Sequence, residues 1–331
     1  MRLEEIPSFA LHVLEQANSL LIVCNKKEEA ACLYRFLSGC VPNCYHLSAS
    51  MCMAHRRAVL EALQTSLRDR KSGKTLCVST QVMEAGVDIS FERVIRLAAG
   101  LDSVIQSAGR CNRSGESPLP GEVHLVPCID EDLSKLSDIQ RGKEATESLL
   151  AQYARDPGRF QGDLSSREAV EAYYQRLYRE LPRGFQDGPV PDRPYSIFSL
   201  LSDNNALADD RSEAGGRYFL SQAFRLAGDL FQVYDDKSID VIVPYEGGKA
   251  VIADLDSRQA AQDLKYRKAC IERAKPYTIS LYEYQRRQLE QMHGLRPVGG
   301  GDSGIWMLAD GFYDNETGFS LKGREMQFLE V

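Results

Sequence analysis

The order of apolar runs along the chain predicts an α/β fold. A parallel sheet with flanking helices is expected over residues 1–128, a helical linker over 129–193, and a smaller α+β domain over 194–331. Three observations carry this. Up to residue 126, short apolar runs of strand length alternate with stretches whose apolar residues recur at three and four. Strands alternating with helices mean parallel strands joined by crossovers. After residue 128 the strand-length runs stop and only the helical period continues, until LPRGFQDGPVPDRP at 181–194, which is rich in proline and glycine and reads as a linker.

The elements follow in order. Residues 2–17 read as a helix with Leu11, Val13 and Leu14 on one side. Leu20 to Cys24 is a continuous apolar run, suited to a sheet buried on both faces. Lys26 to Leu37 is a helix through Ala30, Leu33, Tyr34 and Leu37, and Tyr45 to Leu47 is a short strand. Ala54 to Arg70 is a second amphipathic helix, through Val59, Leu60, Leu63 and Leu67. Thr75–Ser79, Arg93–Leu97 and Glu122–Val126 read as strands, with a helix over Ser103–Gly109 between the last two. In the linker Ala145, Leu149 and Tyr153, then Val170, Tyr173, Leu177 and Leu181, mark two or three helices. Beyond it, helices are expected over Phe219–Phe231 and Arg258–Glu272, and strands over Phe231–Tyr234 and Ile239–Tyr245. Thr278–Met292 begins extended and ends helical, and Gly299–Gly301 opens a loop between two further strands.

Composition narrows the class. Of 331 residues, 43% are hydrophobic and 26% charged, ordinary for a globular protein. No apolar run approaches the length that spans a bilayer, and MRLEEIPSFALHVLEQ lacks the pattern of a signal peptide. The nine cysteines sit mostly in apolar runs and read as core residues of a protein in a reducing cytoplasm. Cys40, Cys44 and His46 hint at a metal, but no second pair completes a four-ligand set, so no metal site is expected. The net charge of −7 is uneven: residues 1–127 carry 14 Lys and Arg against 13 Asp and Glu, residues 128–331 carry 26 against 34. Any nucleic-acid track is therefore local or shared with another polypeptide.

The chemistry concentrates between Ser79 and Gly115. STQVMEAGVDIS carries Gly86 and Asp88; IQSAGRCNRSG carries Gln106, Gly109, Arg110 and Arg113 in a Q-x-x-G-R-x-x-R pattern. Two arginines three apart on one face of a helix reach the β- and γ-phosphates of a nucleotide together and neutralise charge in the transition state. Gln106, one turn earlier, orients the attacking water, and Gly86 lets backbone approach a ligand closely. By the rule for open α/β sheets, these groups are expected at the carboxyl ends of the strands.

The two blocks resemble motifs V and VI of superfamily 2 helicases. The fuller match, with the cysteine–asparagine insert in G-R-C-N-R, resembles the CRISPR-associated helicase-nuclease of type I systems. Later segments continue the likeness: F-x-x-A-G-D-L-F-x-V-Y-D-D, V-I-V-P-Y-E-G-G, I-S-L-Y-E-Y-Q and D-G-F-Y-D-N-E-T-G look like that family's C-terminal accessory domain. The resemblance implies a second RecA-like domain followed by an accessory domain that helps enclose single-stranded DNA. It implies Arg113 as the arginine finger, with Arg110 and Gln106 facing the γ-phosphate of ATP with Mg2+. Gly86, Gly109 and Asp88 would lie at the nucleotide, Asp88 binding ribose or bracing the arginines, and Glu84 would have a positioning role in motif V. Thr80 would touch a DNA phosphate, with a strand-end cap as its alternative. Asn25, Ser48 and Arg56 would touch the DNA backbone, with helix capping or surface solvation as theirs. The implied partners are single-stranded DNA, the N-terminal helicase-nuclease half and the CRISPR surveillance complex, in the cytoplasm.

Other features do not fit this chemistry. Ser72-Gly73-Lys74-Thr75 ends like a phosphate loop, but position 68 is Arg where that loop needs glycine, and it lies between a helix and a strand in the wrong order. Asp130-Glu131 imitates a magnesium-holding pair but follows motif VI, and reads as a solvated loop. Without a Walker A lysine, a Walker B carboxylate or a His-Asp nuclease signature, the chain is expected to be inactive alone. The alternative is a non-catalytic DNA-binding or regulatory fragment.

Overall fold

The computed structural model describes residues 1–69, 73–84, 87–115, 118, 120–179, 188, 190, 193, 195–202, 222–231, 238–300 and 303–323. By contacts the chain forms two compact units, Met1–Val170 with Ser238–Val331, and Glu171–Lys237.

The first unit begins as a layered α/β domain. Its order is α1 (Ile6–Glu15), β1 (Ser19–Val23), α2 (Lys27–Ser38), β2 (Asn43–Leu47), α3 (Met53–Arg68), β3 (Thr75–Ser79), β4 (Arg93–Leu97), α4 (Leu101–Ala108) and β5 (Glu122–Val126). The five strands pair in parallel in the order β2-β3-β1-β4-β5. All five residues of β1 are buried, as expected for a central strand covered on both faces. Because side chains alternate along a strand, Leu20 and Ile22 pack with Ala10, Leu14, Leu33 and Leu37 of α1 and α2. Leu21 and Val23 point the other way, into a cluster with Leu63 of α3, Met83 and Phe91. α5 (Ser137–Arg155) follows, and α6 (Arg167–Arg179) leads into the second unit, where α7 (Ile197–Leu201) and α8 (Phe224–Leu230) are described.

From Ser238 the chain returns to the first unit. β6 (Ser238–Ile242), β7 (Thr278–Tyr282), β8 (Leu295–Pro297) and β9 (Trp306–Leu308) make a mixed sheet in the order β7-β6-β9-β8. Between β6 and β7 come α9 (Gly247–Leu255), α10 (Arg258–Gln262) and α11 (Leu264–Ala274), and α12 (Glu283–Gln291) follows β7. The helix expected over Arg258–Glu272 is thus two helices: the Asp263 carboxylate accepts from the N–H groups of Lys265 and Tyr266 and starts a new one. Of the helix expected from Phe219, the described part is Phe224–Leu230, and the strand expected over Phe231–Tyr234 lies beyond residue 231, outside the described residues.

A two-stranded hairpin, β10 (Tyr313–Asp314) and β11 (Gly318–Phe319), fastens this second sheet to the first domain. The Phe319 N–H donates to the Ser50 carbonyl at 2.9 Å. The Tyr313 hydroxyl accepts from the Cys52 N–H and bonds His55 Nδ1, both at 3.0 Å. His55 in turn stacks on Tyr245, centroids 4.3 Å apart. Gly318 sits at φ +79, with a built Cβ only 2.6 Å from the Ser50 carbonyl oxygen, so both conformation and space call for glycine. The loop between β2 and α3 is therefore held by the last described turn of the chain.

Candidate nucleotide half-site

The block after β3 leaves the carboxyl end of the sheet and runs back toward its amino end. Thr80 stays at the carboxyl end, buried, its N–H donating to the Leu47 carbonyl. Asp88 lies five residues before β4, and the role expected of Gly86 lies, with Ala85, outside the described residues. α4 starts at the carboxyl end of β4 and returns antiparallel to it. Gly109 caps its end in ordinary right-handed conformation at φ −63. Arg110 and Arg113 are therefore not on a helix, as the spacing suggests, but on the turn that follows. The Phe91 N–H donates to the Arg110 carbonyl and the Asn112 N–H to that of Phe91, which seats this turn beside the residue two ahead of β4. The arginine turn thus stands at the amino rim of β4, opposite to the end expected. A polar cleft of about 820 Å³ opens there, with Asp88 and Asn112 in its wall.

The two arginines are held differently. Arg110 is 5% exposed; its Nε donates to the Met83 carbonyl at 2.9 Å and its Nη2 to that of Glu84 at 2.7 Å. Its Nη1 is buried and has no partner among the described residues. Burial, and then the charge of Arg113, draw its pKa below the usual guanidinium value. Arg113 is half exposed, and its Nε donates to the exposed Asp88 carboxylate at 2.9 Å. Gln106 is exposed on α4.

Beneath them lies a residue that motif reading does not single out. Arg96, the fourth residue of β4, is fully buried. Its Nε meets Glu84 Oε1 at 3.0 Å, its Nη2 donates to Ser103 Oγ at 2.7 Å, and its Nη1 donates to Asn25 Oδ1 at 2.7 Å and the Leu97 carbonyl at 2.8 Å. Ser103 and Ser107 of α4 both donate to Glu84 Oε1, at 2.6 and 3.0 Å. Glu84 is thereby fully engaged inside the domain. The signal in the sequence is an arginine inside the apolar run R-V-I-R-L-A-A, with serines four apart on the next helix.

Asn25 belongs to the same network and is neither a helix cap nor a solvated group. It is buried, and its Nδ2 donates to the Ala98 carbonyl and to Glu131 Oε1. Here the expectation of a solvated loop at Asp130-Glu131 is corrected: the Glu131 side chain is fully buried, 3.7 Å from Lys143, because Asn25 and Lys143 compensate its charge. Glu29 lies beside it, paired with Lys26 at 2.8 Å; burial raises its pKa to about 7. Asp130 accepts from the Leu3 N–H. Ser48 is also fully buried, its hydroxyl bonded to His46 and accepting from the Ser50 N–H. Arg56 is half-buried, and its Nε has no partner among the described residues. Asn25, Ser48 and Thr80 thus gather at the carboxyl ends of β1, β2 and β3, apart from the arginine turn. Lys74 caps α1, donating to the carbonyls of Leu14 and Glu15, which fits its place after a helix rather than before one.

With this geometry in place, known proteins can be compared. Residues 16–116 match the family model for the C-terminal region of the CRISPR-associated nuclease/helicase Cas3. The chain matches the C-terminal helicase region of Cas3. The Cas3 of Haloferax volcanii is 34% identical over 158 residues, 46% of this chain. That of Methanothermobacter thermautotrophicus is 28% identical over 137 residues, 41% of this chain. The matched parts span 15% and 16% of the length of these relatives. Among solved structures, T. fusca Cas3 with ATP has a TM-score of 0.56 at 16% identity, covering 93% of this chain and 37% of that one. The same protein with ADP has a TM-score of 0.56 at 18% identity, covering 96% and 41%. The likeness shows the fold: a RecA-like parallel sheet with flanking helices, followed by a helical stretch and a smaller mixed sheet.

No described helix is long and apolar enough to cross a membrane.

Proposed function

We propose that this chain supplies the arginine half of an ATP site, and an edge for single-stranded DNA, to a Cas3-type helicase acting in CRISPR interference. The observation that carries the reading is the arginine turn: a buried guanidinium whose Nη1 has no partner among the described residues, beside an exposed one braced by a carboxylate. An anionic phosphate fits that donor set. Arg110 is oriented by the motif V backbone and offers Nη1 to an oxygen. Arg113, released from or shared with Asp88, is the arginine finger, and exposed Gln106 is placed to orient water. ATP with Mg2+ supplies the triphosphate, its cradle and its metal ligands being contributed by the N-terminal helicase-nuclease half. Gly86, Gly109 and Asp88 border the nucleotide. Half-buried Arg56, near the start of α3, is the contact at the DNA edge, with Asn25, Ser48 and Thr80 at the carboxyl ends of the strands as buried supports rather than contacts. Residues 1–128, 129–193 and 194–331 then serve as the second RecA-like domain, a linker and the accessory domain, in the cytoplasm alongside the surveillance complex.

On this reading the chain alone hydrolyses no ATP, because one buried and one exposed arginine neither cradle the triphosphate nor exclude water. The test is phosphate release by the purified chain with Mg2+ and single-stranded DNA, alone and mixed with a polypeptide bearing the phosphate loop. Hydrolysis only in the mixture is expected. Sustained turnover by the chain alone, lost in Arg113→Ala, would show a complete site here; DNA binding with no turnover in any mixture would favour a regulatory fragment.

A further inference from the structure

We propose that Arg96 is a positioning residue, which locks the motif V glutamate and the helix ending in the arginine turn onto the strand ends of the sheet, so that Arg110 and Arg113 stand in one register. This rests on the half-site reading above and adds to it the element that aims the arginines.

Arg96 bonds the Val23 carbonyl and Asn25 at the end of β1, Glu84 after β3, Leu97 of its own strand, and Ser103 of α4. These are four separate stretches of chain meeting at one fully buried guanidinium. A planar fork with five N–H donors serves them together; a lysine, with three donors on one nitrogen, cannot reach both Asn25 and Ser103 from the same stem. The Glu84 side chain is gripped by Arg96, Ser103 and Ser107, while the carbonyl of the same Glu84 accepts from Arg110 Nη2. One residue therefore passes the position of the sheet to the catalytic arginine: Arg96 fixes Glu84, and Glu84 fixes Arg110.

Stability alone does not account for this arrangement. A buried ion pair is generally no better for stability than a well-packed apolar pair of the same size. What an apolar pair lacks is direction. α4 has only eight residues, so the place of the turn beyond it, which carries Arg110, follows from how the helix is held.

Hydrogen exchange on the full chain tests this. In Arg96→Met with Glu84→Leu, thermal stability should fall less than in Arg96→Met alone, while amides of 81–84 and 106–113 exchange about tenfold faster or more, with the β1, β3 and β4 amides unchanged. Unchanged exchange in the two motif segments, or an even rise throughout the domain, would overturn the proposal. Should that pair fail to fold, Ser103→Ala with Ser107→Ala keeps the Arg96–Glu84 pair and unties α4. It must then speed exchange over 106–113 alone, and no change there equally overturns the proposal. In the mixture that hydrolyses ATP, Arg96→Lys should lower kcat about a hundredfold with KM little changed. If wild type shows no hydrolysis in any mixture, the half-site reading fails, and the exchange result still decides whether Arg96 positions the turn.

Discussion

Arg113 and Arg110 differ in what holds them, and this sets what each substitution does. Arg113 is held by Asp88, and both are exposed, so Arg113→Ala should leave the fold intact. In the assembled enzyme it should lower hydrolysis by about three to five orders of magnitude, with a smaller effect on nucleotide binding. Rates from phosphate release and affinities from a fluorescent nucleotide separate the two effects; normal hydrolysis by this variant would remove the finger assignment. Arg96→Met alone is a different case. It leaves Glu84 buried without its cation, at a cost of about 3–5 kcal/mol of stability, visible as a lower urea midpoint. The Arg96→Met, Glu84→Leu pair should recover most of that loss.

At the scale of elements, the tail hairpin governs the loop between β2 and α3. Tyr313→Phe removes the acceptor of the Cys52 N–H and the partner of His55, both buried. A cost of about 1–3 kcal/mol is expected, against almost none for an exposed tyrosine such as Tyr282. Equilibrium denaturation of the two variants makes the comparison, and equal effects would mean the hydroxyl is not a tie. The elements of the first domain were legible in the sequence because their cores are periodic: β3, β4 and β5 fall where their apolar runs place them. The arginine turn was legible as chemistry but not as geometry. Its residues follow a helical pattern, yet Gly109 ends the helix and Phe91 captures the backbone that follows, a long-range pairing that spacing does not carry. Glu131 was misread for a related reason: a charged residue after a strand is usually solvated, and only the fold brings Asn25 and Lys143 to it.

Over the whole molecule, buried titratable groups set a pH optimum. Burial lowers the pKa of His46 and of His55 from 6.5 to about 4. Between those values the unfolded chain binds more protons than the native one, so stability is lost as pH falls from 6.5 toward 4, by about 2–3 kcal/mol per histidine at most. Glu29 acts oppositely. Its pKa is raised from 4.5 to about 7, so its contribution is complete below 4.5 and fades as pH rises through 7. Two histidines outweigh one carboxyl at the acid end, and Glu29 alone acts above 6.5. Denaturation midpoints should therefore peak near pH 6–6.5, and Glu29→Gln should flatten the alkaline side. A profile still rising at pH 7.5 would contradict this. The charge balance also bears on DNA. With residues 1–127 nearly neutral and the rest acidic, binding of single-stranded DNA by the isolated chain should be weak, indifferent to sequence and strongly weakened by salt. Anisotropy titrations at two salt concentrations check it; tight binding indifferent to salt would point to stacking instead.

The bond from Cys52 to Tyr313 joins residues 261 apart. On a ribosome adding about 5–20 residues each second, Cys52 is made roughly 13–50 s before its tie, and the first sheet, complete at Val126, roughly 9–37 s before it. During that interval the loop from Ser48 to Cys52 has no hairpin to hold it, and His55 lacks Tyr313. The nascent chain must therefore pass through a stage in which its parallel sheet is complete and its DNA edge is not, a stage open to chaperones and proteases. Translation pauses placed before residue 313 would lengthen that exposure, and a stop codon there would make it permanent.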